Sequence, residues 1–301
     1  MNEQALTGLI LKGIGGFYYV ETAGMVYECK ARGVLRKEEI RPVAGDRVRI
    51  ITEAGTQKGV IEEVLPRKSY LVRPPVANAD TIFLIVSTTE PVPNTLILDK
   101  LIAIAEYKGI AQVIVITKID LQQFADLYDI YLKAGFEVLI ADYDNPASIE
   151  AIRARCKNGL NIFSGNSGVG KSTLLNAIDP ALALKTGDIS QKLGRGRHTT
   201  RSVELYQLPE GGYIADSPGF SSLETVQLDI IFKDRLQYCF REFADYIDKC
   251  KFKDCSHTSE RGCAVLRAVE EGIIPKSRHE SYKAMYEEAR QIKEWAQEAR
   301  R

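Results

Sequence analysis

No stretch of this chain approaches the roughly 18 consecutive apolar residues that a membrane-spanning helix requires. Its opening, Met1-Asn-Glu-Gln-Ala-Leu6, lacks a basic region followed by a long apolar run. A protein without signal peptide or membrane contact, working in the cytoplasm, is the expectation. Net charge is missing as well: Lys plus Arg and Asp plus Glu each number 40. No overall basic field therefore draws the chain to nucleic acid or anionic lipid. A dispersed disulfide framework is also absent. Of the 6 cysteines, Cys250, Cys255 and Cys263 crowd beside His257, and in a reducing compartment such clustering favours a metal over disulfides. Cys29 and Cys156 read as core residues.

What is present is ample core material. At 301 residues and 45% hydrophobic content, two or three domains are expected. The first seventy or so residues read as short strands, Leu6–Lys12, Phe17–Glu21, Met25–Ala31, Arg47–Thr52 and Lys58–Val64, separated by glycine-rich turns. Five such strands fit a small barrel of the OB type, and an SH3-like barrel nearly as well. Lys30, Arg32, Arg36, Lys37, Arg41, Arg47 and Arg49 make a basic stretch there; it reads equally as a solvated face or an RNA-contacting surface. Arg73-Pro74-Pro75 reads as a linker, because proline stops strand pairing. Strands and helices then alternate, as in a parallel sheet covered on both faces: strands at Thr81–Ser87, Gln112–Thr117, Glu137–Ala141, Leu160–Ser164, Ser202–Gln207 and Tyr213–Ala215, with helices between. From about Leu223 the pattern turns helical. It ends in a stripe of Tyr282, Met285, Tyr286, Ala289, Ile292 and Trp295, which reads as packing against that segment's own core.

Four motifs carry chemistry. Gly165-Asn166-Ser167-Gly168-Val169-Gly170-Lys171-Ser172, continued by Thr173, matches G-x-x-x-x-G-K-[ST]. Its glycines let backbone N–H groups face phosphates, Lys171 reaches the β- and γ-phosphates, and Ser172 meets magnesium. Thr117-Lys118-Ile119-Asp120 has the form [NT]-K-x-D, which in GTPases holds guanine; the Asp120 carboxylate would accept from the base's N1–H and exocyclic amine. Threonine at its first position keeps a hydroxyl but loses an amide. Asp216-Ser-Pro-Gly219 fits D-x-x-G, with Asp216 reaching magnesium through water and the Gly219 amide sensing the γ-phosphate. Many GTPases follow that glycine with a water-positioning Gln; here Phe220 stands instead. The nearest polar substitute is His198 in Gly194-Arg-Gly-Arg-His198-Thr199-Thr200, and one of Thr199 and Thr200 should close over magnesium. Lastly, Cys250-x₄-Cys255-x-His257-x₅-Cys263 makes a closed tetrahedral zinc set. Buried free thiols or a redox pair are the plainer alternatives, and Cys239 is a possible substitute ligand.

The order of these motifs is unusual. The base reader lies about fifty residues upstream of the phosphate loop, whereas in an ordinary GTPase it lies downstream. A circularly permuted chain could assemble the same site. In this combination the residues resemble the ribosome small-subunit-dependent GTPase A family along the whole chain. The resemblance implies an OB barrel over 1–73, a circularly permuted P-loop GTPase over 74–222 and a mostly helical zinc domain over 223–301. It implies GTP as substrate, Mg²⁺, one structural Zn²⁺, and hydrolysis stimulated by the small ribosomal subunit and its rRNA during late maturation. His198 matches the family's proposed catalytic histidine, beside Lys171, Thr199 and Thr200, and the chain is expected to act as a monomer. The loop that should back the base, near Ile140-Ala141-Asp142, departs from the usual Ser-Ala, and no residue is assigned there. Two rivals stand beside this reading: an RNA-binding scaffold that uses GTP only to set its shape, and a zinc-dependent enzyme, against which the complete four-ligand set argues.

Overall fold

The computed structural model describes residues 3–33, 35, 40–53, 55–72, 74–182, 203–216 and 230–292. Strands β1 (Glu3–Ile14), β2 (Phe17–Thr22), β3 (Met25–Ala31), β4 (Arg47–Glu53) and β5 (Lys58–Val64) follow the β-branched and aromatic runs of the sequence. β4 alternates cleanly, with Val48, Ile50 and Thr52 turned inward. The five strands pair in the order β1-β2-β3-β5-β4, and β4 returns to β1 to close the barrel. The β3–β5 pair is parallel and the others are antiparallel. This Greek-key closure is the OB arrangement and settles the choice against an SH3-like barrel. Ile10, Val20, Cys29, Val48, Ile50 and Ile61 fill its interior. Of the basic stretch, Arg32 pairs with Glu62 at 2.7 Å and Arg49 with Glu63 at 3.1 Å, so part of its charge is neutralised locally. Arg36 and Lys37 lie outside the described residues.

The segment read as a linker is a folded hairpin. β6 (Tyr70–Leu71) and β7 (Val76–Ala77) pair antiparallel around a turn that holds Pro74 and Pro75. Proline stops a strand in either setting; here the apolar residues on both sides make the difference, since Leu71, Val76 and Ala77 are buried. The hairpin clamps the barrel. Gly45, at φ +87°, sits so close that a Cβ would lie 2.1 Å from the Ala77 carbonyl. Arg67 grips the buried Asp46 with two of its nitrogens, Nε and Nη2, at 2.7 and 2.8 Å.

Next come β8 (Thr81–Ser87), α1 (Thr95–Tyr107), β9 (Ala111–Thr117), α2 (Ala125–Lys133), β10 (Glu137–Ile140), α3 (Pro146–Arg155), β11 (Leu160–Gly165), α4 (Lys171–Ile178), β12 (Glu204–Gln207) and β13 (Tyr213–Asp216). β8 and β9 are almost wholly buried and carry the apolar runs Ile82–Val86 and Val113–Ile116, because helices cover both faces of a parallel sheet. The sheet runs β10-β9-β8-β11-β13-β12 and continues through β12 into β1 of the barrel. Along the chain the strands march outward from β8 to β10, then β11 jumps back to the other side of β8. The crevice at the ends of β8 and β11 is thus the topological switch point, where α/β sheets bind ligands.

Among the described residues, the α-helices that follow are α5 (Lys233–Leu236), α6 (Ala264–Glu270) and α7 (Lys276–Arg290). The apolar stripe on α7 does not serve only its own segment. Tyr282 and Met285 share one hydrophobic core with Ile102, Ile114 and Tyr131 of the α/β sheet. Arg278 of α7, fully buried, bonds Asp99 of α1 at 2.7 Å and Glu242 at 2.7 Å, and Lys100 reaches Glu288 at 2.7 Å. The stripe's periodicity located its face correctly; its partner came from α1, far away in sequence. Trp295 lies outside the described residues. No described helix is long and apolar enough to cross a membrane.

Candidate nucleotide and metal sites

The phosphate loop leaves β11 and opens α4. Only glycine fits its first position, since a Cβ on Gly165 would approach the Ile85 carbonyl to 2.7 Å and Val169 Cγ2 to 2.9 Å. Gly170 caps α4 in left-handed conformation, at φ +95°. The helix N-terminus this creates, carrying Lys171, Ser172 and Thr173, is a ready anion site. Val169 is buried beneath the loop, while Asn166, Ser167 and Gly168 stand at its rim.

The base-reading turn meets this loop directly. Thr117, 1% exposed at the end of β9, donates its hydroxyl to the Val169 carbonyl at 2.6 Å. The motif's threonine thus supplies through a hydroxyl the tie that an asparagine amide would make. Lys118 adopts φ +57° and its ammonium reaches the Glu90 carbonyl. Ile119 is half-buried and Asp120 is exposed. Motifs about fifty residues apart in the chain are thereby one hydrogen bond apart in space.

Asp216 is the last residue of β13, paired with Glu204. That strand lies next to β11, so its carboxyl end comes out beside the phosphate loop. His198, Thr199, Thr200, Gly219, Arg195, Arg197 and Phe220 lie outside the described residues.

The second site is built from Cys250, Cys255, His257 and Cys263, whose ligand atoms all lie within 4.8 Å of one another. Cys250 Sγ is 3.8 Å from Cys263 Sγ, and His257 Nδ1 is 3.5 and 3.4 Å from those two sulfurs. A tetrahedral ion with bonds of about 2.3 Å has edges of about 3.8 Å, so soft donors at these spacings suit zinc. Backbone N–H groups support the sulfurs: Ala264 donates to Cys250 at 3.3 Å and Leu266 to Cys263 at 3.4 Å. Burial pushes the Cys255 thiol up to about 12 and lowers the His257 imidazole below its ordinary value. A dication inverts the thiol side of that balance by stabilising thiolates. Cys239 stands apart from the cluster, buried, with its thiol donating to the Arg235 carbonyl.

Most of the residues that hold this site in shape were not singled out in the sequence. Gln237 meets His257 Nε2 at 2.7 Å, leaving Nδ1 for a metal. His279 Nε2 sits 2.7 Å from the His257 carbonyl, and Tyr282 donates to the Ser256 carbonyl at 2.8 Å. Burial works against the Glu260 anion, yet hydrogen bonds from Ser256 and from backbone N–H groups hold its carboxyl down to about 2. A Ser256–Glu260 spacing hints at such a turn, and Tyr282 stands in the periodic stripe; Gln237 and His279 give no local signal.

A family model described as RsgA GTPase matches residues 64–226, and one described as RsgA N-terminal domain matches residues 7–61. Among curated proteins, the chain is 42% identical over 293 residues to the small ribosomal subunit biogenesis GTPase RsgA of Caldanaerobacter subterraneus subsp. tengcongensis, covering 96% of this chain and 97% of that one. The protein of the same name from Bacillus cereus is 42% identical, with 95% and 98% covered. Among solved structures, YjeQ from Thermotoga maritima superposes with a TM-score of 0.80 at 34% identity, covering 96% of this chain and all of that one. YloQ, described as a circularly permuted GTPase, gives a TM-score of 0.77 at 34% identity, with 96% of each chain covered.

Proposed function

The chain belongs to the RsgA family of GTPases, and from that premise we propose that it hydrolyses GTP on the small ribosomal subunit during that subunit's biogenesis. The observation that carries this reading is the 2.6 Å bond from Thr117 to Val169, which joins the base-reading turn to the phosphate loop. We assign Asp120 to the guanine edge, and Gly165 to Thr173 with Gly219 to the phosphates. Lys171 steadies charge as it develops on the transferred phosphoryl group. Ser172 and Asp216 would hold Mg²⁺, which supplies charge neutralisation when bound. Cys250, Cys255, His257 and Cys263 would hold one structural Zn²⁺. The barrel of residues 1–73 and the zinc module of 223–301 flank a GTPase unit of 74–222, working as a monomer in the cytoplasm. Lys30, Arg41 and Arg47 of the barrel are suited to rRNA phosphates.

Catalysis falls to His198, because Phe220 cannot orient water. Ordering the glycine-rich loop around it against RNA, through Arg195 and Arg197, would fix the imidazole before reaction. The test is turnover with and without purified small subunits. The subunit should raise the parent's rate strongly. His198→Ala should remove roughly 10²–10⁴-fold of the stimulated rate while leaving GTP affinity nearly unchanged. A mutant as fast as the parent on subunits would make His198 an RNA contact only. Absence of stimulation in the parent would leave a nucleotide-gated binding protein.

A further inference from the structure

The loop between β10 and α3 is where a base would be backed, and it offers few free backbone donors. The N–H of Ala141 donates to the Ile116 carbonyl at 2.8 Å, that of Asp142 to Ser148 Oγ at 3.1 Å, and that of Asp144 to Asp142 Oδ1 at 3.0 Å. What the loop presents instead is an aromatic ring. Tyr143 directs its hydroxyl to a point 4.0 Å from where a Cβ on Gly170 would stand, and Thr117 Oγ1 is 4.0 Å from the same point. The hydroxyl end of the side chain therefore lies beside both the phosphate loop and Thr117, at the end of β9 that delivers Asp120. Tyr143 is 44% exposed, large for an aromatic side chain in a cleft. Among the described residues its hydroxyl has no hydrogen-bond partner, and burial raises its pKa, so the phenol stays neutral.

We propose that Tyr143 is the stacking wall of the nucleotide site, covering a face of the base while Asp120 reads its edge. This inference rests on the nucleotide-site reading above. It also explains how a loop without Ser-Ala can back a base: stacking needs a π-face rather than an amide donor. Stacking is indifferent to which groups decorate the base rim. Affinity from Tyr143 should therefore be shared by guanine, hypoxanthine and xanthine nucleotides, with choice among them left to Asp120.

The experiment measures GDP, IDP and XDP affinity by displacement of a ribose-labelled fluorescent GDP. It uses the full-length parent, Tyr143→Ala and Tyr143→Phe. Tyr143→Ala should weaken all three nucleotides by a similar factor, about tenfold, with the melting temperature of the nucleotide-free chain unchanged. Tyr143→Phe should bind like the parent. Tyr143→Ala binding GDP as tightly as the parent would overturn the proposal. So would Tyr143→Phe losing as much as Tyr143→Ala, which would make the hydroxyl rather than the ring the contact. A parent chain that failed to bind GDP would overturn the nucleotide-site reading and this proposal with it.

Discussion

Stripping the metal from Cys250, Cys255, His257 and Cys263 is expected to melt the C-terminal segment while leaving GDP binding largely intact. Structural zinc of this ligand type contributes on the order of 10–16 kcal/mol of apparent binding free energy, and that energy is folding energy for the segment around it. The segment around the cluster has little regular secondary structure of its own. Between residues 237 and 263 it consists of single 3₁₀ turns and loops, and His257 is held at φ +57°, a conformation that costs free energy and persists only where its surroundings impose it. The phosphate loop is insulated because a second hydrophobic cluster supports it from the opposite face of the sheet. Phe83, Phe163, Val169, Leu174 and Ile178 belong to that cluster, and none of its members comes from 230–292. Elemental analysis of protein purified without chelator should find one zinc per chain. Chelation should lower helical circular dichroism and leave fluorescent-GDP affinity within a few fold. Protein without zinc, or chelation without spectral change, would contradict this.

Arg278→Ala should be the most destabilising single substitution in the contact between α7 and α1. The guanidinium is fully buried against Asp99 and Glu242, both almost inaccessible. Burial by itself favours neutral arginine, but the Asp99 and Glu242 carboxylates drive its pKa above even the ordinary value. Its plane also lies over the rings of Phe240 and Phe136, at 4.7 and 5.3 Å from their centroids. Removing it strands two buried carboxylates, and Asp99 already has one oxygen without a partner. Breaking a buried pair this way costs about 3–5 kcal/mol, which lowers the melting temperature by about 10 °C in a protein of this size. Arg278→Lys should recover little, because an ammonium cannot bridge two carboxylates as a planar fork does. A loss under about 1 kcal/mol for Arg278→Ala, read from denaturant midpoints, would show that the network relaxes or takes in water.

The parts legible in the sequence were those whose signal is local. Strands β2 to β5 stand where alternation and turn glycines put them, and the Cys/His spacing named a cluster that the fold brings together. Readings failed where the deciding partner was distant. Pro74 and Pro75 read as a linker because nothing nearby announces that Val76 and Ala77 pack beneath Gly45. The α7 stripe gave its buried face but not α1 as its partner, and nothing local in the sequence marks Arg278 as the residue that Asp99 and Glu242 enclose. Closure of the barrel depends on β1 pairing with both β2 and β4, a long-range choice that leaves OB and SH3-like barrels equivalent on strand pattern alone. Thr117 shows the intermediate case: its motif was visible, while its bond to Val169 needed both ends of a permuted sheet.

That permutation, with a base reader upstream serving a phosphate loop downstream, is the central claim. Its most direct measurement is the affinity of Asp120→Asn for GTP and XTP beside the parent, with Lys171→Ala as the variant that loses both. The carboxylate accepts two hydrogen bonds that only guanine's edge donates, each worth about 1.5–3 kcal/mol to a charged acceptor. The amide of asparagine instead donates to the 2-keto group of xanthine. Asp120→Asn should therefore lose at least about 10²-fold in GTP affinity and bind XTP more tightly than the parent does. Unchanged GTP affinity in Asp120→Asn would show that Thr117–Asp120 does not read the base.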